Sequence, residues 1–239
     1  PLLAEPHDEG LPALSPDGSR LAIGLATGAG DDIWVKPLPR GPVYRVTYDP
    51  AAEYRPRWTA DGRFVTFLAN RQDVGFYRRR ADGTGTDSLL VAGLFDEGLA
   101  SPDGRWYLFR QGALGSVTGG RNVVGFRPGS DTAVVPVLAT PYDEEAVALS
   151  PDGRWLAYQS DETGHTEIFV RPFPNVDSGK QQVSSGGGVA PLWSRTGGEL
   201  FYLSGDNNMM AVRVVPGATL HLGEPTVLFR VPEELLNVE

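Results

Sequence analysis

The chain has 239 residues, with 21 Lys and Arg against 30 Asp and Glu and a net charge of -9. That balance argues against nucleic acid as a general partner, because phosphate binding needs a positive field. Cysteine is absent, which excludes disulfides, thiolate metal sites and cysteine nucleophiles. No apolar run approaches the about 18 residues of a membrane span, so no membrane insertion by this segment is expected.

In chain order, Pro1-Leu2-Leu3-Ala4 reads as a short outer strand. An apolar strand then runs into Ser15-Pro16-Asp17-Gly18, where Pro presets φ, Asp caps backbone N–H groups and Gly tolerates positive φ at the exit. The chain reverses into a strand of period two carrying Leu21 and Ile23, followed by a third strand at Asp32–Val35 and a fourth at Tyr44–Thr47. The turn phrase returns as Thr59-Ala60-Asp61-Gly62, Ser101-Pro102-Asp103-Gly104, Ser150-Pro151-Asp152-Gly153 and the worn Ser194-Arg195-Thr196-Gly197. Behind each copy the pairs Val65/Phe67, Tyr107/Phe109, Leu156/Tyr158 and Leu200/Tyr202 repeat the alternation. Arg78-Arg79-Arg80 reads as a solvated outer strand entering a hairpin turn in preference to a binding patch. Gly112–Gly120 reads as a long mobile loop, Glu167–Val170 as a third strand and Gln181–Val183 as a fourth. Pro225–Phe229 is again a last strand, and Pro232–Leu236 has the composition of a single helical turn.

The phrase glycines lie 44, 42, 49 and 44 residues apart. A period in the forties with turn signals and short strands is the mark of propeller blades. Residues 1–18 match residues 136–153 without gaps at 12 of 18 positions, an offset of 135, and Ile33, Val35, Pro37 and Pro39 fall on Ile168, Val170, Pro172 and Pro174. The expected fold is therefore all-β: a six-bladed β-propeller with five complete four-stranded blades in this chain. It forms one domain over 1–239, with blades near 10–47, 53–92, 96–139, 145–184 and 189–230 and a tail at 231–239. Residues 1–4 belong to a further blade, whose three missing strands would follow Glu239. With Pro at residue 1 and no signal peptide visible, the chain reads as a processed or excised piece of something longer. Innermost strands should end at Leu14, Trp58, Ala100, Leu149 and Trp193, each side chain largely buried between blades.

The residues offer little catalysis. His7, His165 and His221 have no partner at metal-ligand spacing, and no Gly-x-Ser-x-Gly elbow occurs. Asp17, Asp61, Asp103 and Asp152 sit in regular turns, where capping is the expected role. One constellation stands apart. The residue six before the Ser or Thr of the phrase is Glu9, Glu53 and Glu144; Asp96 and Glu97 occupy the same connection in the third unit, and Gly188 holds the position in the fifth. Asp8, Asp49, Asp143 and Glu145 lie alongside. In a propeller these crossing loops share one face, around the channel mouth. An acidic mouth of Glu9, Glu53, Asp96, Glu97, Asp143 and Glu144 suits a divalent cation such as calcium or a basic peptide. The competing reading is that each carboxylate caps its own loop. No other cofactor is indicated.

The pattern apolar–Ser–Pro–Asp–Gly–x–x–Leu–Ala–Tyr followed by Ile–Phe–Val resembles the WD40-like repeat of TolB-type six-bladed propellers over nearly the whole chain. The stretch YQSDETGHTEIFVRPFP and the later VSSGGGVAPLWSRTGGELFYL are similar to propellers attached behind bacterial serine/threonine kinase domains. That resemblance implies a non-catalytic sensor module, extracytoplasmic (periplasmic or at the cell surface), holding a protein, peptide or small-molecule ligand. No kinase motif lies in these residues. Two alternatives stay open: the gating propeller of a prolyl-oligopeptidase-like hydrolase, and a TolB-like periplasmic protein-interaction scaffold.

Overall fold

The computed structural model describes residues 12–26, 30–112, 120–215, 217 and 219–232. Pro1–Ala4, His7, Asp8, Glu9, the centre of the Gly112–Gly120 loop and most of the Pro232–Leu236 segment lie outside the described residues. Among those described the regular structure is β-strand, with one 3-10 turn at Val176–Ser178.

Five antiparallel sheets follow one another along the chain. Sheet I holds β1 (Ala13–Leu14), β2 (Arg20–Ala26), β3 (Asp31–Pro37) and β4 (Tyr44–Arg45). Sheet II holds β5 (Glu53–Trp58), β6 (Phe64–Ala69), β7 (Gly75–Arg80) and β8 (Ser88–Ala92). Sheet III holds β9 (Glu97–Ala100), β10 (Tyr107–Gln111), β11 (Asn122–Phe126) and β12 (Val135–Leu138). Sheet IV holds β13 (Glu144–Leu149), β14 (Trp155–Ser160), β15 (Glu167–Pro172) and β16 (Gln181–Gln182). Sheet V holds β17 (Gly188–Trp193), β18 (Glu199–Ser204), β19 (Asn208–Val215), β20 (His221–Leu222) and β21 (Thr226–Arg230). In the first four sheets, and from β17 to β20 in the fifth, the strands pair in sequence order, the arrangement of a propeller blade. The eight-residue β19 is long enough to carry both β20 and β21 along one edge, so the fifth sheet has five strands where four were expected.

The turn phrase builds itself in the same way each time. The glycine N–H donates to the Ser or Thr carbonyl three residues back, at 2.8–2.9 Å. In the first four copies the Asp carboxylate accepts the hydroxyl of that Ser or Thr and the N–H two residues on, and in three of them these bonds hold it below the usual carboxylate range. The hydroxyl oxygen accepts the N–H that opens the next strand. The four carboxylates act as caps. In the worn fifth copy Thr196 replaces the Asp and stands 3.5 Å from the Ser194 hydroxyl. Gly104 has φ +68, and a Cβ there would meet nothing within 4 Å. Gly104→Ala therefore isolates the conformational cost, and urea unfolding should show a loss of about 1 kcal/mol.

Contacts divide the chain into two compact units, residues 1–111 with 125–135 and residues 112–124 with 136–239. The first packs Ile33, Val35, Trp58, Val65 and Phe67 into a core shared by sheets I and II. The second packs Trp155, Ile168, Val170, Trp193, Leu200 and Tyr202 between sheets IV and V. The apolar positions expected behind each turn are buried at Ile23, Val65, Phe67, Tyr107, Phe109, Leu156, Tyr158, Leu200 and Tyr202, with Leu21 half-buried; Ala22, Thr66, Leu108 and Ala157 between them are buried too, so only the fifth sheet's strand alternates in burial.

All five inner strands end where the turn chemistry places them. Burial of the last residue follows for Trp58 and Trp193 but not for Leu14, which is 53% exposed, and Ala100 and Leu149 are half-buried. The cause is positional. Trp58 is covered by Arg20 of the preceding sheet, and its indole N–H donates to Ala13. Among the described residues no sheet precedes β1, and Leu14 has no such cover there.

Candidate functional site

The crossing loops bring the acidic residues to the starts of β5, β9 and β13. At β5 the Glu53 side chain is 0% exposed and is held by the Arg71 guanidinium. Arg71 also donates to Asp87 at 2.6 Å and lies 3.6 Å from Asp49, and Arg79 donates to the other Asp87 oxygen at 2.9 Å. The Arg71 guanidinium stacks 4.5 Å from the Tyr77 ring centroid. Charges thus alternate through sheet II. Burial pushes the Glu53 carboxyl up, with hydrogen bonds from Thr47 and Arg71 opposing.

In the third sheet the buried Arg110 guanidinium lies 3.6 Å from both Asp96 and Glu97. Before β13, Asp143 accepts the Arg121 N–H at 2.8 Å, Glu145 pairs with the Arg121 guanidinium, and the Glu144 N–H donates to the Arg121 carbonyl. Glu144 is 2% exposed; its carboxyl accepts the Thr140 hydroxyl, and burial pushes it up to about 7.

Gly188 holds the corresponding position before β17. A Cβ there would collide with Ser184, so no acid fits. Glu167 supplies a carboxylate from the start of β15 instead. It accepts the Ser184 hydroxyl and the N–H groups of Gly186 and Gly187 at 2.8 and 3.0 Å, and His165 Nε2 stands 2.7 Å away. These donors hold Glu167 below its ordinary range despite burial. The order is Ser–Glu–His, with the carboxylate between the other two. Ser184 Oγ donates to Glu167 and accepts the Ile168 N–H, so this histidine does not stand where a general base for that hydroxyl would.

Each expected acidic residue among those described therefore has a partner: Glu53 with Arg71, Asp96 and Glu97 with Arg110, Asp143 and Glu144 with Arg121 and Thr140. Among the described residues no group of three or more His, Asp and Glu is arranged to hold a metal ion. The counter-ions Arg71, Arg110 and Arg121, and the substitute Glu167, were not anticipated. The local signal is the run Gly186-Gly187-Gly188, whose first two amides donate to Glu167.

One concave surface, of about 360 Å³, lies at this last crossing, lined by His165, Gly186, Gly187, Gly188 and Ser204. At the junction of sheets IV and V a cleft of about 380 Å³ is walled by Arg154, Trp155, Phe173, Lys180, Gln181 and Leu220. The cis Phe173-Pro174 bond and the Val176–Ser178 turn shape one side. Arg154 donates to the Gly217 carbonyl at 2.9 Å, Lys180 pairs with Glu162 at 2.7 Å, and Gln181 donates to the Leu220 carbonyl at 3.0 Å. The Trp155 indole N–H is buried without a hydrogen-bond partner. Trp155 and Phe173 give the cleft aromatic walls.

No protein-family model matches the sequence, and no curated protein matches it. Solved structures do resemble the fold. A TolB-type protein from Agrobacterium tumefaciens superposes with TM-score 0.70 at 18% identity, over 95% of this chain and 84% of that one. TolB from Acinetobacter baumannii gives 0.68 at 16% identity, over 94% and 58%. A prolyl endopeptidase gives 0.57 at 18% identity, over 90% of this chain and 35% of its own. These likenesses establish a TolB-like β-propeller fold.

Proposed function

We propose that this chain is a non-catalytic binding module, the extracytoplasmic ligand-binding part of a bacterial receptor-like serine/threonine kinase, and that its ligand is a protein or peptide. The observation that carries the binding reading is the cleft between sheets IV and V. Its volume of about 380 Å³ falls within the range of ligand sites, and it is lined by Trp155 and Phe173. The likeness to TolB propellers supports the module; the kinase association rests on the sequence resemblance. The partly exposed Asp49, Asp96 and Glu97 leave a negative field that would draw a basic partner.

A peptide-display library panned on the immobilised domain tests this. The expected result is an enriched consensus whose synthetic peptide binds saturably and loses affinity at least tenfold against Ser178→Trp, which fills the cleft. Failure to enrich any sequence overturns the reading. A second reading, the gating propeller of a hydrolase, is supported by the prolyl endopeptidase likeness. The flanking gene sequence separates the two: a kinase and a membrane span upstream favour the first, and a hydrolase domain with Gly-x-Ser-x-Gly downstream favours the second.

A further inference from the structure

Behind Trp155 the junction of sheets IV and V encloses a second recess, of about 170 Å³, lined by Ser150, Asp152, Trp155, Trp193, Thr196 and Gly197. The same junction occurs between sheets I and II at an offset of 135 residues. Ser15, Asp17, Trp58 and Gly62 stand where Ser150, Asp152, Trp193 and Gly197 stand. The two copies are built alike. Trp58 donates its indole N–H to the Ala13 carbonyl at 2.8 Å, and Trp193 donates to the Ala148 carbonyl at 3.1 Å.

One position differs in kind. Trp155 replaces Arg20. The Arg20 guanidinium stacks 4.5 Å from the Trp58 ring centroid and donates to the Gly62 carbonyl at 2.7 Å. A Cβ built on Gly62 would lie 3.3 Å from that guanidinium nitrogen, whereas the atoms nearest a Cβ on Gly197 belong to Pro151, at 3.5 and 3.9 Å. At the first junction the protein therefore fills this space with its own guanidinium. At the second the same tryptophan face and the same glycine line a recess.

We infer that the recess between sheets IV and V seats an arginine side chain of a protein partner. The inference rests on the binding-module reading and names the chemistry of its ligand. A guanidinium is planar, stacks on an indole face and donates to a carbonyl in the same plane, as Arg20 does; an ammonium does not match that geometry. Trp193 supplies the face, Gly197 the carbonyl and Asp152 a carboxylate at the rim. Trp155 lines both the recess and the larger cleft. The net charge of -9 draws cationic partners toward the domain.

The test is a titration with N-acetylargininamide and with its citrulline counterpart, which has the same shape without the charge. The readout is the five tryptophan indole resonances in ¹H–¹⁵N spectra. Arginine should shift the Trp193 and Trp155 signals saturably, and citrulline should bind at least tenfold more weakly. Trp155→Arg, which installs the residue of the first junction, should abolish the response. Asp152→Asn leaves the core untouched and should weaken binding severalfold, so the test survives misfolding of the first variant. Equal responses to arginine and citrulline, or none to arginine, overturn the arginine seat. If library peptides carrying arginine bind Trp155→Arg as they bind the wild type, the seat falls and the module stands. If no peptide is enriched and arginine gives no response, both fall.

Discussion

Replacing Arg71 by methionine is expected to lower the stability of the folded protein by about 3–5 kcal/mol, because it strips the counter-ion from a buried carboxylate. Glu53 is fully buried, and its Oε2 already has no hydrogen-bond partner. Without Arg71 its charge would face only the Thr47 hydroxyl. Asp87 would keep Arg79, at 2.9 Å, so the loss concentrates on Glu53. The double variant Arg71→Met with Glu53→Gln should recover much of the loss, since the buried charge then disappears with its partner. Acid should do the same for the single variant. Burial already raises the Glu53 pKa above its unfolded value, and loss of the guanidinium raises it further, so the native state takes up a proton before the unfolded chain does. The deficit of Arg71→Met should therefore be large at pH 8 and shrink toward pH 5. Urea unfolding of the three proteins at both pH values measures this. A deficit below about 1 kcal/mol at pH 8 would place the pair among solvent-screened surface contacts.

The parts of this molecule legible in the sequence are those decided within a few residues. Ser15, Asp17 and Gly18 need only each other to close their turn, and the same local bonds end the strands at Trp58, Ala100, Leu149 and Trp193. The alternation of Leu156 with Tyr158 likewise follows from the pleat. What escaped depends on residues far apart in the chain. Glu53 and Arg71 are 18 residues apart, the one opening β5 and the other in the turn after β6, and nothing in the spacing says that they meet. Leu14 and Trp58 hold one place in the repeat, and among the described residues only Trp58 of the two has a preceding sheet to cover it. The role of Glu167 could not be seen from the position of Gly188, because the carboxylate there arrives from another strand. Even the exchange of Arg20 for Trp155, plain at an offset of 135, acquires meaning only when the recess beside Gly197 is compared with the filled space beside Gly62.

Stability should fall as the pH rises from about 4.5 to 7, by about 3 kcal/mol in total from Glu144 alone, a figure set by its carboxyl moving from 4.5 in the unfolded chain to about 7 in the fold. The sign follows from proton uptake. Below 4.5 both states hold the proton and nothing is lost. Between 4.5 and 7 the unfolded chain ionises while the folded protein retains its proton, so unfolding gains about 1.4 kcal/mol per pH unit. Above 7 both are ionised and the difference is constant. Burial drives the shift: Glu144 is 2% exposed and its Oε2 has no hydrogen-bond partner. The Thr140 hydroxyl and Arg171 favour the charged form and Glu162 opposes it, but none outweighs desolvation. The turn-phrase carboxylates Asp17, Asp61 and Asp103 are held low and slope the other way at acid pH, so the measurement is a difference between wild type and Glu144→Gln. The amide keeps the Thr140 hydrogen bond and cannot ionise. The variant should equal the wild type near pH 4 and exceed it by about 3 kcal/mol at pH 8, with the gap opening between 4.5 and 7. A gap independent of pH would mean that Glu144 is ionised throughout. A gap of opposite sign would make it a charged tie holding the crossing into β13 in place.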